Sequence, residues 1–327
     1  MSTGLLMLGN APMGALIERV KLSEKNGFDT VWLADERFYR EVYSTLAVFA
    51  QHTSRVTLGP CVTDPYARHP ALTAMAIATL DEISGQRALL AFGAGISGFA
   101  ELGVERVKPA RAIREAIELI RKLLRGETVT YRGEVIKFNE GKLSFAPVRS
   151  EIPVFVASNG PLGQRAAGAI ADGAIMEACG NVEEVRAFRA VLDEGARSAG
   201  RDPKSVRLVA RLNTCIGSDG AKARDAIRPT VARLLGAGRL KFRTAEAQGL
   251  TLSAELMASV AGAAYASGFT PYLPLLPHIT DRHVNSFTLA GDVREVTARV
   301  TELRRAGVDD ITIMPFAAPG GSIEETI

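Results

Sequence analysis

The chain of 327 residues is predicted to fold as an α/β protein, a (β/α)8 TIM barrel with insertions after strands 4 and 7. Short apolar runs alternate with amphipathic helix patterns along most of its length, which is typical of parallel strands joined by helices. The first four apolar runs begin near residues 4, 29, 56 and 87, about one βα unit apart. The chain also has the size of one such barrel with inserted segments.

An open, doubly wound sheet is the main alternative to the barrel. Such a sheet usually carries a glycine-rich dinucleotide-binding turn after its first strand. Residues 9–14 of this chain read GNAPMG, which does not match the GxGxxG pattern. We therefore prefer the barrel.

The predicted elements alternate regularly. Strands are predicted over residues 4–8, 28–34, 56–63, 87–92, 152–157, 173–177, 206–216 and 310–314. Helices are predicted over residues 11–26, 43–52, 70–83, 109–124, 162–171, 182–199, 221–235 and 293–305. Gly27, Gly85, Gly173 and Gly307 each follow one of these helices, and glycine readily takes the left-handed conformation that closes a helix.

The third strand contains the most irregular stretch of the chain. Gly59 and Pro60 interrupt its apolar run, and polar residues follow before His69-Pro70 opens the next helix. Glycine packs no side chain and proline donates no hydrogen bond, so this pair predicts a bulge.

Residues 1–327 are interpreted as a single domain with two insertions. The first insertion, about residues 97–150, contains a helix and a small β-meander over 128–145. The second, about residues 236–290, is predicted to be a helical flap. Its proline-rich segment 272–278 either forms a lid that excludes water or packs on the flank of the barrel.

Composition excludes several classes of protein. The net charge is only +3 and the basic residues are scattered, so no nucleic-acid partner is expected. We expect no signal peptide and no membrane span. Three distant cysteines favour a cytoplasmic protein without disulfides.

The sequence offers no motif for catalysis by side chains or by a metal. Its four histidines are too dispersed to form a metal site, and it contains no P-loop and no nucleophile elbow. Chemistry by a bound organic cofactor is therefore favoured.

Polar residues at the carboxyl ends of the strands are the candidates for the active site, because barrel enzymes place their sites there. These candidates are Asn10, Asp35, Glu36, residues 61–66, residues 93–95, residues 158–161, residues 177–180, Asn213, Thr214, Pro315 and Phe316.

The turn Ser158-Asn159-Gly160-Pro161 is the strongest cofactor signal in the sequence. A strand ends there and a helix begins at once, so free backbone N–H groups near the helix N-terminus favour a phosphate. The alternative is an ordinary helix cap by Ser158 or Asn159.

Several motifs in this order resemble the bacterial luciferase-like monooxygenase superfamily. They are WLADERF at residues 32–38, LGPCVT at 58–63 with His69-Pro70, FGAG at 92–95, ASNGP at 157–161 and IADG at 170–173. Within that superfamily, the chain is similar to the branch that contains methylenetetrahydromethanopterin reductase, which uses coenzyme F420.

The resemblance implies a barrel that binds F420, or alternatively FMN, at its carboxyl end. It implies a cis peptide bond between Cys61 and Val62 that backs the cofactor ring, and a phosphate held by Ser158 to Pro161. The cofactor-binding residues are then Cys61, Val62, Thr63, Gly93, Gly95, Ser158, Asn159, Gly160 and Pro161. A homodimer is also implied.

Asp35, Glu36 and Asp64 are the candidate catalytic residues. Asp35 would orient the substrate or share a proton near the ring, with Glu36 as its neighbour; a salt bridge to Arg37 or Arg68 is the alternative for Asp35. Asp64 is also explained by a turn that it forms with Pro65.

The predicted function is hydride transfer between F420 and a small organic substrate. The substrate is left unidentified, because the acidic residues that the resemblance places near the pterin are matched here by the apolar and glycine residues 5–9 and by Ile96. With FMN the alternative is a monooxygenase that uses oxygen and needs a flavin reductase as partner. A flavin-binding barrel without activity and a metal-dependent hydrolase are further alternatives.

Overall fold

The computed structural model describes residues 2–95, 98–240, 242–263 and 267–327. The strands are β1 Thr3–Met7, β2 Thr30–Leu33, β3 Thr57–Pro60, β4 Leu90–Phe92, β5 Val129–Arg132, β6 Lys137–Gly141, β7 Val154–Ala157, β8 Gly173–Glu177, β9 Arg207–Ile216, β10 Thr288–Gly291 and β11 Asp310–Pro315. The helices are α1 Met13–Lys25, α2 Val42–Gln51, α3 Pro70–Ile83, α4 Pro109–Leu124, α5 Pro161–Ile170, α6 Val182–Ser198, α7 Gly220–Gly236, α8 Ala254–Ser259, α9 Asp281–Phe287 and α10 Val293–Ala306.

Eight parallel strands form the predicted barrel. Their order around the sheet is β3-β2-β1-β11-β9-β8-β7-β4. Two isolated parallel bridges, Leu58 to Ala88 and Thr63 to Phe92, connect β3 to β4 and close the ring. The (β/α)8 fold class is therefore confirmed.

The predicted bulge lies at this closure. Between the two bridges, the chain advances from Leu58 to Thr63 on one side and only from Ala88 to Phe92 on the other. The third strand thus carries one extra residue, which bends the backbone where the strand reaches the carboxyl end of the barrel. The peptide bond between Cys61 and Val62, inside this stretch, is cis, as the resemblance implied.

The insertion after β4 is smaller than predicted. Helix α4 packs against both α3 and α5, so it belongs to the ring of helices around the barrel. Only the antiparallel hairpin of β5 and β6 departs from the βα unit. The amphipathic pattern of α4 gave no means to distinguish an inserted helix from a ring helix. Ser97, at the predicted start of this insertion, lies outside the described residues.

The second insertion begins earlier than predicted and contains a strand that was missed. Asn213 and Thr214 of β9 pair with β11 on one edge and with β10 on the other. Strand β10 therefore occupies the edge of β9 beyond Arg211, the last partner of β8. Helix α7 follows β9 and contributes Thr230 and Leu234 to a cavity at the barrel mouth, so it is part of the insertion.

The proline-rich segment of that insertion packs on α7. Tyr272 and Leu275 are buried, and the Tyr272 hydroxyl donates to the Ala263 carbonyl at 2.9 Å. A side chain at Gly236 would collide with Tyr272 and Leu275, which shows how closely the two segments meet. Residues 272–278 thus pack on α7, as the flank-packing alternative describes, and none of them lines the cavity at the barrel mouth. Residues 241 and 264–266 of the predicted flap lie outside the described part of the chain.

Two apolar layers hold the barrel together. Alternate residues along the strands point in opposite directions, so Leu5 packs outward against the helices while Leu6 points inward. The inner cluster includes Trp32 and Phe155, whose rings meet edge to face at 5.7 Å. Gly173 opens β8 and does not close a helix: a side chain there would collide with the Phe155 ring. None of the helices within the described ranges is long and apolar enough to cross a membrane.

Glu24 connects the end of α1 to the segment before β3 by hydrogen bonds. Its carboxylate accepts hydrogen bonds from the amides of Ser54, Arg55 and Val56 at 2.7–3.1 Å. Although burial raises the pKa of Glu24, these hydrogen bonds lower it to about 2. We expect Glu24→Gln to reduce the free energy of unfolding at pH 7 by about 1–2 kcal/mol, after allowance for solvent screening.

The contribution of Glu24 to the free energy of unfolding depends on pH. Because the folded-state pKa is depressed, the stabilisation is present above the ordinary value of 4.5 and disappears as the pH falls towards 2. Thermal unfolding of the wild type and the variant should therefore converge in acid. Glu18→Gln is the matched control, since Glu18 forms only an exposed ion pair with Lys21. An equal loss in both variants would contradict the anchoring role of Glu24.

Candidate active site

A cavity of about 460 Å³ opens at the carboxyl end of the barrel. Among the predicted site residues, it is lined by Asp35, Glu36, Cys61, Val62 and Gly95. Its walls also include residues from β8, β9, α7 and β11. The carboxyl ends of several different strands thus meet around one space, as in barrel enzymes generally.

A larger cavity of about 820 Å³ lies at the opposite, amino-terminal end of the barrel. Its arginines are paired with acids, as in the contact of 3.3 Å between Arg121 and Asp172. The amino-terminal face of a barrel generally contributes stability rather than catalysis. We therefore assign the candidate site to the smaller cavity.

The floor of the site is apolar. Leu8, Cys61, Val62, Ala157 and Met314 pack on the inner barrel cluster and also line the cavity. Burial raises the pKa of the Cys61 thiol to about 12, so this cysteine is a neutral packing group at physiological pH.

Glycines allow the backbone to approach this floor. A side chain at Gly93 would lie 2.6 Å from the Val62 Cγ2 atom, and Gly95 has a left-handed φ of 66° beside the Phe99 ring. Gly93 and Thr63 do not line the cavity; they lie directly behind it, where the Gly93 amide donates to the Thr63 carbonyl at 2.9 Å.

Asp35 is a half-buried carboxyl group that lines the cavity. Burial raises its pKa above the ordinary value, while Thr63, Arg37 and Arg68 offset part of that increase. Tyr43 lies behind it, and burial also raises the pKa of its phenol. The buried hydroxyls of Tyr43 and Thr63 have no hydrogen bond of normal geometry within the described residues. Asp35 therefore keeps its proton to a higher pH than an exposed aspartate does.

Glu36 enters the cavity beside Asp35. Burial raises the pKa of Glu36, and the nearby Arg239, Arg37 and Arg233 lower it in part. Its neighbour Asp35 raises it further. Two adjacent acids with opposing arginines thus form one wall of the site.

Asp64 does not reach the cavity. It is 1% exposed, it is paired with Arg37, and its Oδ1 accepts from the amides of Tyr66 and Ala67 at 2.8 Å each. Arg37 in turn donates to the Asp35 carbonyl at 2.8 Å. Asp64 is therefore placed to stabilise its own turn and to position Arg37.

The turn Ser158 to Pro161 adjoins the cavity wall through Ala157, although its own residues do not line the cavity. Ser158 and Asn159 do not cap α5: the Ser158 hydroxyl accepts from the Gly160 amide at 3.3 Å, and the Asn159 side chain accepts from the Glu177 amide. The N-cap residue, Gly160, makes no side-chain cap. The first turn of α5 thus has no side-chain cap, although Ser158 lies close to Gly163 of that turn.

The strand-end candidates Glu177, Asn213 and Phe316 also line the cavity. Arg211 and Arg239 line it too, but they were not among the candidates, because Arg211 lay inside a predicted strand and Arg239 inside the predicted flap. Glu177 joins the two arginines, at 3.7 Å from Arg211 and 3.0 Å from Arg239.

Metal ligands are not gathered at this site. Across the described residues, no group of three or more His, Cys, Asp or Glu side chains is placed to hold a metal ion. The site is therefore a pocket at the mouth of a (β/α)8 barrel with an apolar floor and paired acids, beside the N-terminus of α5.

Comparisons with known proteins identify the family. The model of the luciferase-like monooxygenase family matches residues 3–310. The 5,10-methylenetetrahydromethanopterin reductase of Archaeoglobus fulgidus is 35% identical over 295 residues, covering 89% of this chain and 86% of the relative. That of Methanolobus tindarius is 34% identical over 315 residues, covering 95% and 93%.

A solved structure shows the same architecture. The coenzyme F420-dependent tetrahydromethanopterin reductase from Methanopyrus kandleri superposes with a TM-score of 0.87 and 29% identity, covering 99% of this chain and 95% of that one. The chain therefore belongs to the luciferase-like monooxygenase family, a family of oxidoreductases.

Proposed function

We propose that this chain is an F420-dependent oxidoreductase that holds the cofactor and a small organic substrate side by side in the barrel mouth. The observation that carries the proposal is the apolar floor formed by Cys61, Val62 and Ala157, which lies beside the uncapped N-terminus of α5. When bound there, F420 supplies hydride chemistry through its deazaflavin ring. The long matches to reductases that use this cofactor support the same conclusion.

Each part of the site has a task under this proposal. The bulge at Cys61 and Val62 supports the ring, and Gly93 and Gly95 let the backbone approach it closely. Ser158 to Pro161 and the first amides of α5 bind the phosphate. Asp35 and Glu36 hold or move the proton that accompanies reduction of the substrate.

We further propose a methylene-tetrahydropterin as the substrate to test first. The relatives named for that reaction match 89–95% of this chain at 34–35% identity. The two acids that the resemblance places near the pterin do not occur at the matching positions: residues 5–9 are apolar or glycine, and Ile96 lies outside the described residues. Glu36 and Glu177 supply carboxylates to the cavity from other strands.

Binding of the cofactor tests the proposal directly. Purified chain should be titrated anaerobically with F420 and with FMN, each oxidised and reduced, and binding followed by fluorescence. We expect micromolar or tighter binding of F420 and weak binding of FMN. Preference for FMN would instead indicate an oxygen-dependent monooxygenase, and binding of neither would leave a barrel without a flavin-type cofactor.

A negative charge introduced at Leu162 tests whether the cofactor phosphate binds at this turn. Its side chain is 76% exposed in the first turn of α5. A carboxylate there favours the helix dipole but repels a bound phosphate, so we expect Leu162→Glu to weaken F420 binding about tenfold. Leu162→Gln, which has the same shape without the charge, should bind like the wild type. Equal affinities of the two variants would contradict a phosphate at this turn.

A further inference from the structure

The cavity of about 820 Å³ at the amino-terminal end of the barrel exists because one row of inward-facing residues is small. The inside of a (β/α)8 barrel is normally filled by layers of bulky branched side chains. Here four residues that line the cavity lie side by side in the register of β3, β2, β1 and β11, namely Thr57, Thr30, Gly4 and Thr312. They leave a space of the size that small-molecule sites have.

The floor of this cavity is aromatic. Trp32 and Phe155, which are 3% and 7% exposed, line it and meet each other edge to face. Leu89 and Val209 of the same inner cluster complete the apolar surface. The indole of Trp32 faces the row of small residues, since a Cβ atom at Gly4 would lie 3.4 Å from its Nε1. Contact with this floor favours an aromatic ligand, because rings pair well edge to face or offset.

The rim of the cavity offers guanidinium groups. Arg207 donates through Nη2 to Asp310, and its side chain is still 49% exposed. A guanidinium carries five N–H donors and can bind a carboxylate with two of them, so this ion pair leaves donors for a ligand. Arg121 lies close by: its Nη2 is 3.3 Å from Asp172, whose carbonyl accepts from the Arg207 amide at 3.1 Å.

The register of β9 gives the spacing between floor and rim. Arg207 and Val209 lie on the same face of the strand, because they are two residues apart. A strand rises about 3.3 Å per residue, so the rim begins about 7 Å outside the floor. A ligand that reaches both parts needs an apolar ring at one end and an anionic group a few bonds away.

We propose that this cavity is a second ligand site and that it takes a small aromatic carboxylate. The ring packs on Trp32 and Phe155, and the carboxylate accepts from Arg207, with Arg121 beside it. The site is separate from the candidate active site, because the two cavities share no lining residue. It therefore holds a ligand that takes no part in the proposed hydride transfer.

Trp32 makes the assignment directly measurable, because it is the single tryptophan of the chain. Full-length protein without cofactor is titrated with 3-phenylpropanoate and with the neutral 3-phenylpropanamide, which has the same ring and length. We expect the carboxylate to change the Trp32 emission with a dissociation constant of about 1 mM or below, as for a ligand of this size. It should bind about tenfold more tightly than the amide, since a charged acceptor strengthens the bonds from arginine.

Variants locate the binding. Arg207→Gln should lower the affinity for 3-phenylpropanoate about tenfold and abolish the preference over the amide. Thr57→Leu, which fills part of the row beside the floor, should weaken the binding of both compounds. Arg239→Gln is the matched control: Arg239 is also ion-paired, to Glu177 at 3.0 Å, but it lines the cavity at the barrel mouth. This variant should bind like the wild type.

Each contrary outcome overturns the second site. These outcomes are an unchanged Trp32 emission, equal affinities of the wild type for the two compounds, an intact preference in Arg207→Gln, undiminished binding by Thr57→Leu, or a loss in Arg239→Gln equal to that in Arg207→Gln. The titrations contain no F420, so the proposed cofactor can fail without affecting them. Circular dichroism of each variant verifies that it is folded.

Discussion

Replacement of Asp35 by asparagine is expected to lower kcat about 100-fold while F420 affinity changes by less than about threefold, which is the effect of removing one positioned acid or base. Asp35 is a half-buried carboxyl group at the cavity wall, and its raised pKa makes it a better proton donor than an exposed aspartate. Asparagine has the same shape but cannot donate that proton. Anaerobic turnover of reduced F420 with the substrate measures kcat, and fluorescence titration measures affinity.

The pH profile supplies an independent test of Asp35. Because burial raises its pKa, the group stays protonated to a higher pH than an exposed aspartate. Reduction of the substrate uses the protonated form, so kcat of the wild type should fall as the pH rises through this pKa. Asp35→Asn should lack that decline. A variant with normal turnover, or with an unchanged pH profile, would exclude Asp35 from proton transfer.

Asp64→Asn is the matched comparison for that experiment. The Asp64 carboxylate binds Arg37 and two amides of its own turn, away from the cavity. Its loss should lower thermal stability and weaken cofactor binding together, because Arg37 loses its partner. A selective loss of kcat in this variant would instead support the catalytic role that the sequence indicated.

Gly59→Ala is expected to reduce the free energy of unfolding by about 3 kcal/mol or more, at the upper end of the range for overpacked sites. A Cβ atom at Gly59 would lie 2.2 Å from the backbone oxygen of Leu89. Neither backbone can yield easily, since Leu89 donates to the Leu58 carbonyl at 3.0 Å in the contact that closes the barrel. Thermal and urea unfolding of the variant measure the loss.

Gly14→Ala serves as the control for this substitution. Gly14 lies in α1, and a side chain there would meet no atom within 4 Å. Alanine is a better helix former than glycine by roughly 0.8–1 kcal/mol, so this variant should be slightly more stable than the wild type. Equal destabilisation by both substitutions would show that the barrel closure is not the cause.

The regular part of the fold could be predicted because its signals are local. Apolar runs and helix patterns identified the eight barrel strands, and Gly59 with Pro60 identified the bulge. Strand β10 could not be recognised in this way: it has four residues, and it is a strand only because β9 extends far enough beyond β8 to pair with it. Such pairing depends on the three-dimensional arrangement of distant segments.

The residues of the candidate site also divide into those that local sequence predicts and those that only the three-dimensional structure shows. Asp35, Glu36, Cys61 and Val62 follow strands directly, so the rule that barrel sites lie at the carboxyl ends of strands was enough to find them. Arg211 could not be distinguished from the other residues of its predicted strand until the structure showed that it lines the cavity.

The two ends of the second insertion are joined by a hydrogen bond, in which the Gly217 amide donates to the Gly291 carbonyl at 3.2 Å. The insertion therefore starts and ends at neighbouring points of the sheet, where β10 pairs with β9. Lengthening a loop whose ends are already together is thermodynamically mild, roughly 0.6 kcal/mol for each doubling. We therefore expect changes in the length of the loops within this insertion to cost little stability, although the insertion supplies part of the cavity wall.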